Sequence, residues 1–354
     1  MTTRLSPTRE PEGTDRANRR ASMRDVADLA GVAMSSVSRV LSGHADVSTA
    51  MRERVLAAVE QLGYEPDFLA QSLRRGATLS VGFVVGDISN PLIADIASGA
   101  ELELRQAGYS MLVMNSENDP RLDAAHIRFF EGRRVDGLIL SLANERTPET
   151  LEALEDCSLP LVLVDRELPP RFRVSTVRHD HRNGIRMAAE ALLDLGHHRI
   201  ALVTGPEDIS PVRERIAGLR EAVAARGGPD ETIVRAGSLS AEHGDTATDA
   251  LLAMAEPPTA IIAGGNQPLV GCLRAFARRG VRPGRDIALV TCDDVPLAQL
   301  YDPPISVVSR DTVGLGREAA ELLLRHLRGD LEPRTVILPM SFELRASSPP
   351  LVLR

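Results

Sequence analysis

No lysine occurs among the 354 residues, so all 41 side chains of the Lys and Arg class are arginines. That absence excludes a phosphate-cradling P-loop lysine, a Schiff-base lysine and lysine-dependent phosphoryl transfer. Cysteine is scarce: Cys157, Cys272 and Cys292 are scattered without metal or redox spacing and read as reduced thiols of a cytosolic protein. No apolar run approaches the roughly 20 residues of a membrane span. There is no GxSxG elbow and no HExxH helix, so hydrolytic chemistry lacks its nucleophile and its metal. Positive charge is in deficit too. A net charge of -8 argues against nucleic-acid binding along the whole surface.

Against these absences stands one dense stretch, Ser22 to Gly43, which reads as two short helices around a glycine turn. Ser22 and Asp25 have capping-box spacing, and Val26, Ala27 and Ala30 form a buried face at helical steps. Gly31 ends the first helix where positive φ is needed, and Val32 plugs the gap between the two. The second helix begins near Met34 and buries Val37, Val40 and Leu41. That turns Met34, Ser35, Ser38 and Arg39 outward, as a helix lying in a major groove requires. A third helix opens at Val47-Ser48, carries Val55, Leu56, Val59 and Leu62 as its apolar positions, and stops at Gly63-Tyr64-Glu65-Pro66. The first twenty residues hold five arginines and no signal-peptide core, and read as a disordered tail. Between Ser22 and Ser80 acidic side chains outnumber arginines. DNA affinity there requires the arginines to share one face and two copies to act together.

From Ala77 onward, strand and helix alternate. Thr78–Gly86 is a β-branched run of the kind buried in a parallel sheet, and Ile93–Ala107 follows as an amphipathic helix. The unit recurs through strands at 110–114, 137–141, 160–164, 174–177, 200–204, 233–236, 260–263 and 288–291. Alternation over this length implies two doubly wound α/β lobes, because one sheet rarely grows so large. Ligands of such folds sit beyond the carboxyl ends of the strands, and two facing lobes make a cleft there. The segments after the strands bring Asp87 and Asn90, Asn115, Asp165-Arg166, Asp180, Arg213 and Arg215, Asn266, and Asp293-Asp294. Such a set suits hydroxyls, an amine or a carboxylate. Gly314-Leu315-Gly316 imitates a dinucleotide fingerprint, but Asp311 is expected to cap that helix and to place the glycines inside it. His179 with His181, and His197 with His198, have no carboxylate or cysteine at helical spacing to complete a metal set.

Taken in order, DVADLAGVAMSSVSRVLSG, VLAAVEQLGYEP and AQSLRRG resemble the LacI/GalR family of bacterial transcriptional regulators. DISNP, NSENDP, RRVDGLIL, LVDR, DLGHHRIALVTGP, RERIAGL and DPPISVV extend the resemblance to about Ala346, through a core that looks like a periplasmic sugar-binding protein. The resemblance implies a tail over 1–21, a helix-turn-helix domain over 22–67 and a hinge helix over 68–76. An effector-binding and dimerisation core follows over 77–346, with lobe crossings near 175 and 306, and a C-terminal tail over 347–354.

It further implies that Met34 and Ser35 read base edges, that Arg39 reaches guanine or phosphate, and that Leu73 wedges into the minor groove. Ser22, Ser36, Ser38, Arg52 and Ala70 complete the expected DNA-binding set. Ala33 stands where the family often has a phosphate-binding Ser, and Asp67 replaces the more usual Asn. The expected effector set is Asp87, Asn90, Ile93, Asp165, Arg166, Arg215, Asn266 and Asp293. Leu92-Ile93 replaces the frequent aromatic pair, which turns the expectation from a stacked purine towards a sugar or similar polyol. The whole reading is a cytoplasmic, homodimeric, ligand-responsive regulator of a palindromic DNA operator, probing no membrane and needing no metal or cofactor. The alternative is a small-molecule binding or sensing protein without a DNA role.

Overall fold

The computed structural model describes residues 21–42, 44, 46–64, 77–227 and 232–351 and divides into a head ending at Thr78 and a core beginning at Leu79. In the head, α1 (Met23–Ala30), α2 (Met34–Leu41) and α3 (Thr49–Leu62) pack around Val26, Val37, Val40, Val55, Ala58 and Tyr64. The expected capping box is formed: the Asp25 N–H donates to Ser22 Oγ at 3.3 Å and the Ser22 N–H donates to Asp25 Oδ2 at 2.7 Å. Gly31 takes φ 64°, the left-handed turn that only glycine adopts without cost. One expectation fails. Leu56 is exposed, and the inward stripe of α3 is instead Val55, Ala58, Val59 and Leu62, the true three-and-four spacing. The hinge at 68–76, with Ala70 and Leu73, lies outside the described residues.

The core is two sheets of the same design. In chain order the first lobe runs β1 (Ser80–Val85), α4 (Pro91–Gln106), β2 (Ser110–Asn115), α5 (Pro120–Gly132), β3 (Gly137–Ser141), α6 (Pro148–Asp156), β4 (Leu161–Val164) and β5 (Ser175–His179). The second begins with α7 (His181–Asp194) and runs β6 (Ile200–Thr204), α8 (Ser210–Ala224), β7 (Ile233–Ala236), α9 (Ala241–Leu252) and β8 (Ala260–Ala263). It continues with α10 (Asn266–Arg279), β9 (Ala288–Cys292), α11 (Pro296–Leu300) and β10 (Ser306–Arg310). Helix α12 (Thr312–Leu327) and the strands β11 (Thr335–Leu338) and β12 (Met340–Glu343) close the chain. The sheet orders are β11-β5-β4-β3-β1-β2 and β12-β10-β9-β8-β6-β7, parallel throughout except for β12 against β10. Each sheet is buried on both faces, so its strands read as continuous apolar runs: Val81, Phe83 and Val85 face α4 and α12, while Val84 faces α5 and α6.

The lobes exchange helices. After β5 the chain leaves the first lobe, and α7 covers the second beside α8; after β10 it returns, and α12 covers the first beside α4. The crossings therefore fall at Asp180 and Asp311, just past the strands that begin at 175 and 306, and the chain crosses once more at Pro339 between β11 and β12. That last crossing is marked in the sequence by the proline alone. Asp180 and Asp311 cap the helices they introduce, accepting from Asn183 N–H at 3.1 Å and Gly314 N–H at 2.7 Å. Gly314 and Gly316 thus lie inside α12 and form no nucleotide loop.

Gly316 is a contact glycine: a Cβ there would sit 1.9 Å from the Ile96 carbonyl oxygen on α4. Gly316→Ala must push α4 and α12 apart and is expected to cost about 1–3 kcal/mol, read as a fall in the urea midpoint of the core. An unchanged midpoint contradicts this close approach.

Candidate functional site

The site is built at the crossings. Asp165 follows β4 and Asp293 follows β9, at equivalent positions of the two lobes, and both take positive φ, 48° and 77°. Each backbone N–H is held by the neighbouring strand, Asp165 by the Val177 carbonyl and Asp293 by the Val308 carbonyl, both at 2.9 Å. Asp tolerates this region better than most side chains, and such geometry clusters where a site demands it. It aims both carboxylates into the space between the lobes.

Arg310, the last residue of β10, joins them. Its Nη1 donates to Asp165 Oδ2 at 2.6 Å and its Nε donates to Asp293 Oδ1 at 2.7 Å. Its side chain is buried, as are those of Asp165 and Asp293. Burial alone would push the arginine down, but the carboxylates of Asp293 and Asp165 hold it fully protonated, above its ordinary value. Around this pair of bridges, the Asp165 carboxylate also accepts from the His179 N–H at 2.9 Å, and His181 Nε2 lies 3.3 Å from Asp165 Oδ1.

The His181 ring is neutral. Burial pushes it down to about 3, and Arg215 pushes the same way, against the pull of Asp165. Arg215 Nη2 lies 3.5 Å from His181 Nδ1, which selects the tautomer with its proton on Nε2, aimed at Asp165 but too poorly aligned for a full hydrogen bond. Burial would raise the Asp165 carboxyl. The N–H groups that His181 and His179 turn towards it outweigh this and hold it well below the ordinary carboxylate range.

The structure thus supplies what the sequence did not, a carboxylate beside the His179 and His181 pair, with their donor atoms all within 4.8 Å. The carboxylate comes from β4, and no helical spacing announces it. The set does not suit a divalent cation, because Arg310 occupies one Asp165 oxygen and Arg215 abuts His181.

The remaining effector candidates divide. Arg215, 4% exposed on α8, donates from Nη1 to the Gly264 carbonyl at 2.8 Å, and its Nε has no partner. Arg166 is buried between carbonyls, bonding Leu142 through Nε and Asp165 through Nη1. Asn266 Nδ2 donates to Asn90 Oδ1 at 2.9 Å, a direct contact between lobes. A cavity of about 90 Å³ is lined by Asn90, Ile93, Asp165, Arg166, Arg215 and Arg310, with Ser141 and Pro211 among its other walls. A neighbouring cavity of about 310 Å³ shares Arg166, Ile209 and Leu239 with it and is lined by Asp87, Ser89, Asn118, Ser238 and Gln267. Asp87 therefore stands apart from the carboxylate pair, bonding the Ser89 N–H at 2.9 Å.

Arg310 and Glu145 were missed in the sequence. Arg310 obeys the strand-end rule, but only if 306–310 is read as a full strand. Glu145 sits in a loop with no such signal; it is fully buried and accepts from Ser210 Oγ at 3.2 Å and from Arg213, both on the opposite lobe. The buried Cys272 and Cys292 are pushed by desolvation to about 12 and about 11, so neither thiol is a nucleophile.

In the head, Met34 is 51% exposed at the start of α2, Ser35 and Arg39 are exposed, and Ser36 and Ser38 are half-buried. Ser22 is used as the cap of α1. Arg52 Nη2 donates to the His44 carbonyl at 2.9 Å, so it ties the segment between α2 and α3. Ala33 caps α2 without a side-chain hydrogen bond.

Comparison with known proteins follows this division. Residues 22–67 match "Bacterial regulatory proteins, lacI family", and residues 189–348 match "Periplasmic binding protein-like domain". The HTH-type transcriptional regulator CelR of Thermobifida fusca is 34% identical over 340 residues, covering 93% of this chain and 98% of its own. The ribose operon repressor of Bacillus subtilis is 30% identical over 323 residues, covering 91% and 97%. Among solved structures, the lac repressor dimer bound to operator and the anti-inducer ONPF superposes with a TM-score of 0.84 at 27% identity, covering 94% of this chain and 100% of that one. The complex of the regulator CelR with cellobiose gives 0.70 at 32% identity, covering 93% and 100%. Among the described residues no helix is long and apolar enough to cross a membrane. With a helix-turn-helix head and a two-lobed binding core matched over nearly their whole length, the chain belongs to the LacI family of DNA-binding transcriptional regulators.

Proposed function

We propose that the protein is a homodimeric, cytoplasmic repressor whose small-molecule effector binds between the lobes of the core and changes its affinity for a palindromic operator. The observation that carries this reading is the position of the polar cluster. Asp165, His179, His181, Asp293 and Arg310 stand at two of the crossings, so a ligand that rearranges them changes how the lobes close. A ligand acts on such an equilibrium through its differential affinity for the two closures. Relatives named for ribose and cellobiose support a sugar or related polyol. The amide, hydroxyl and carboxylate lining of the larger cavity suits hydroxyl groups.

Self-association is supported by apolar side chains left exposed on both lobes. On the first lobe, Leu112 and Val113 lie on the edge strand β2, 47% and 39% exposed, and Leu102 of α4 is exposed as well. On the second, Leu297 and Leu300 of α11 are 39% and 83% exposed. A contact between two copies would cover them. In the head, Met34 with Ser35 faces base edges, Arg39 supplies a guanine or phosphate contact, and Leu73 is the wedge of the hinge.

Selection of genomic fragments by the purified protein, with and without a panel of sugars, tests the reading. Enrichment of one palindrome, with half-sites about one helical turn apart, is the expected result. No enrichment under any ligand overturns the DNA role and leaves a ligand-binding protein. Leu73→Ala is expected to lower operator affinity while leaving effector affinity near normal; equal loss of both contradicts the hinge assignment.

A further inference from the structure

Three arginines reach the cavity between the lobes, and they are unequally satisfied. Arg310 is bound to Asp165, which lines the cavity, at 2.6 Å and to Asp293 behind it at 2.7 Å. A neutral ligand arriving there finds both Asp165 oxygens already engaged, one by Arg310 and one by the His179 N–H. Arg166 and Arg215 are the reverse case. They are 9% and 4% exposed, and among the described residues neither has a carboxylate within 4.0 Å of its guanidinium.

Arg166 is held by two neutral carbonyls, and Arg215 by the Gly264 carbonyl and a neutral imidazole. The acids that act on Arg166, Glu145, Asp165 and Asp123 in that order, make no ion pair with it. Glu145 is taken by Arg213 and Ser210, and Asp123 accepts from the Ala143 N–H at 2.6 Å. Arg215 keeps an Nε atom that is buried and without any partner. Arg166 and Arg215 also repel each other; for Arg166 burial is the largest influence, Glu145, Asp165 and Asp123 oppose it, and Arg215 adds to it. Two buried cations in mutual repulsion, one with an unused N–H, make a site that an anion completes.

Resting on the reading of this cleft as the effector site, we propose that the effector carries a carboxylate or phosphate, held by Arg215 and Arg166. The polyol part then extends into the larger cavity. The protein is a sensor of an acidic sugar derivative, and Arg310 competes with a neutral sugar for Asp165. The planar forks of two arginines match the oxygens of either anion.

The test uses the full chain and matched pairs at constant ionic strength: gluconate against glucose, galacturonate against galactose, and ribose 5-phosphate against ribose. Inorganic phosphate and acetate serve as bare anions, with calorimetric affinity and Tm as readouts. At least one acid is expected to bind about tenfold or more tightly than its neutral partner, a difference typical of charge-assisted bonds. The carboxylate and phosphate pairs tell the two anions apart. Arg215→Gln is expected to remove the preference, and Arg215→Lys, which keeps the charge without the fork, to retain part of it. A neutral sugar that binds as well as its acid, and is weakened by Asn266→Ala, overturns the anion but leaves the cleft as the effector site. Sugar binding untouched by both Arg215→Gln and Asn266→Ala overturns the cleft reading itself. No gain in Tm from phosphate, acetate or any acid of the panel overturns the proposal.

Discussion

Replacing Arg310 with glutamine is expected to lower the stability of the core by about 3–5 kcal/mol, the usual cost of removing one partner from a buried ion group. The reason is geometric. Arg310 alone bridges Asp165 and Asp293, which enter from different lobes at positive φ and cannot turn away to water. Without the guanidinium, two carboxylates face one another in a buried space. The whole set need not be stabilising, because desolvating three ions consumes most of what their attraction returns. The triple variant Arg310→Gln, Asp165→Asn, Asp293→Asn is therefore expected to recover much of the loss.

Proton linkage gives an independent check. In the wild type the folded Asp165 carboxyl lies below its unfolded value, so its contribution is complete above that unfolded value and is lost as pH falls through the folded one. In Arg310→Gln the buried Asp165 carboxylate loses the cation 2.6 Å away, so uptake of a proton there costs less and the variant is expected to lose less stability on mild acidification than the wild type. Urea midpoints at neutral and mildly acidic pH measure both effects. A single variant as stable as wild type, or one whose loss on acidification is as steep as the wild type's, contradicts the bridge.

The second large effect belongs to His181. Its folded value is about 3, against about 6.5 in the unfolded chain. Between those two values the unfolded state holds more protons, so stability is complete above about 6.5 and falls as pH drops, by at most about 1.4 kcal/mol per unit. From neutral pH to pH 5 this one ring is expected to remove about 2 kcal/mol. His181→Gln keeps a group that can accept from Arg215 and donate towards Asp165, yet it cannot titrate. The stability profile of this variant should be flatter than the wild type by that amount. Identical slopes would mean that His181 is solvated or already charged in the folded protein.

Much of the site could be read from the chain because it follows a local rule. Asp165-Arg166 and Asp293 stand immediately after a buried apolar run, and Asn266 two glycines after one, and a strand end is visible in sequence. The capping box of Ser22 and Asp25 and the glycine turn at Gly31 are likewise contained within a few residues. What could not be read depends on partners far apart in the chain. Arg310 meets Asp165 only because β10 and β4 end at the same place in different sheets, a separation of 145 residues. Glu145 is an unremarkable loop acid until the second lobe brings Ser210 and Arg213 to it. The crossing at Pro339 is hidden because the apolar string Val336-Ile337-Leu338 runs through the proline into Met340 and reads as one strand, although it belongs to two sheets. Leu56 was misplaced for a different reason: next to Val55 it extends an apolar string, but successive helical residues point about 100° apart.

On the proposed function, a ligand between the lobes changes how the head holds DNA. The most direct measurement is operator affinity of the full chain at fixed salt, with and without saturating effector, effector occupancy being followed separately. The account predicts a change of about 5- to 150-fold, the range of typical allosteric coupling. Equal operator affinity with the cleft demonstrably filled would contradict it.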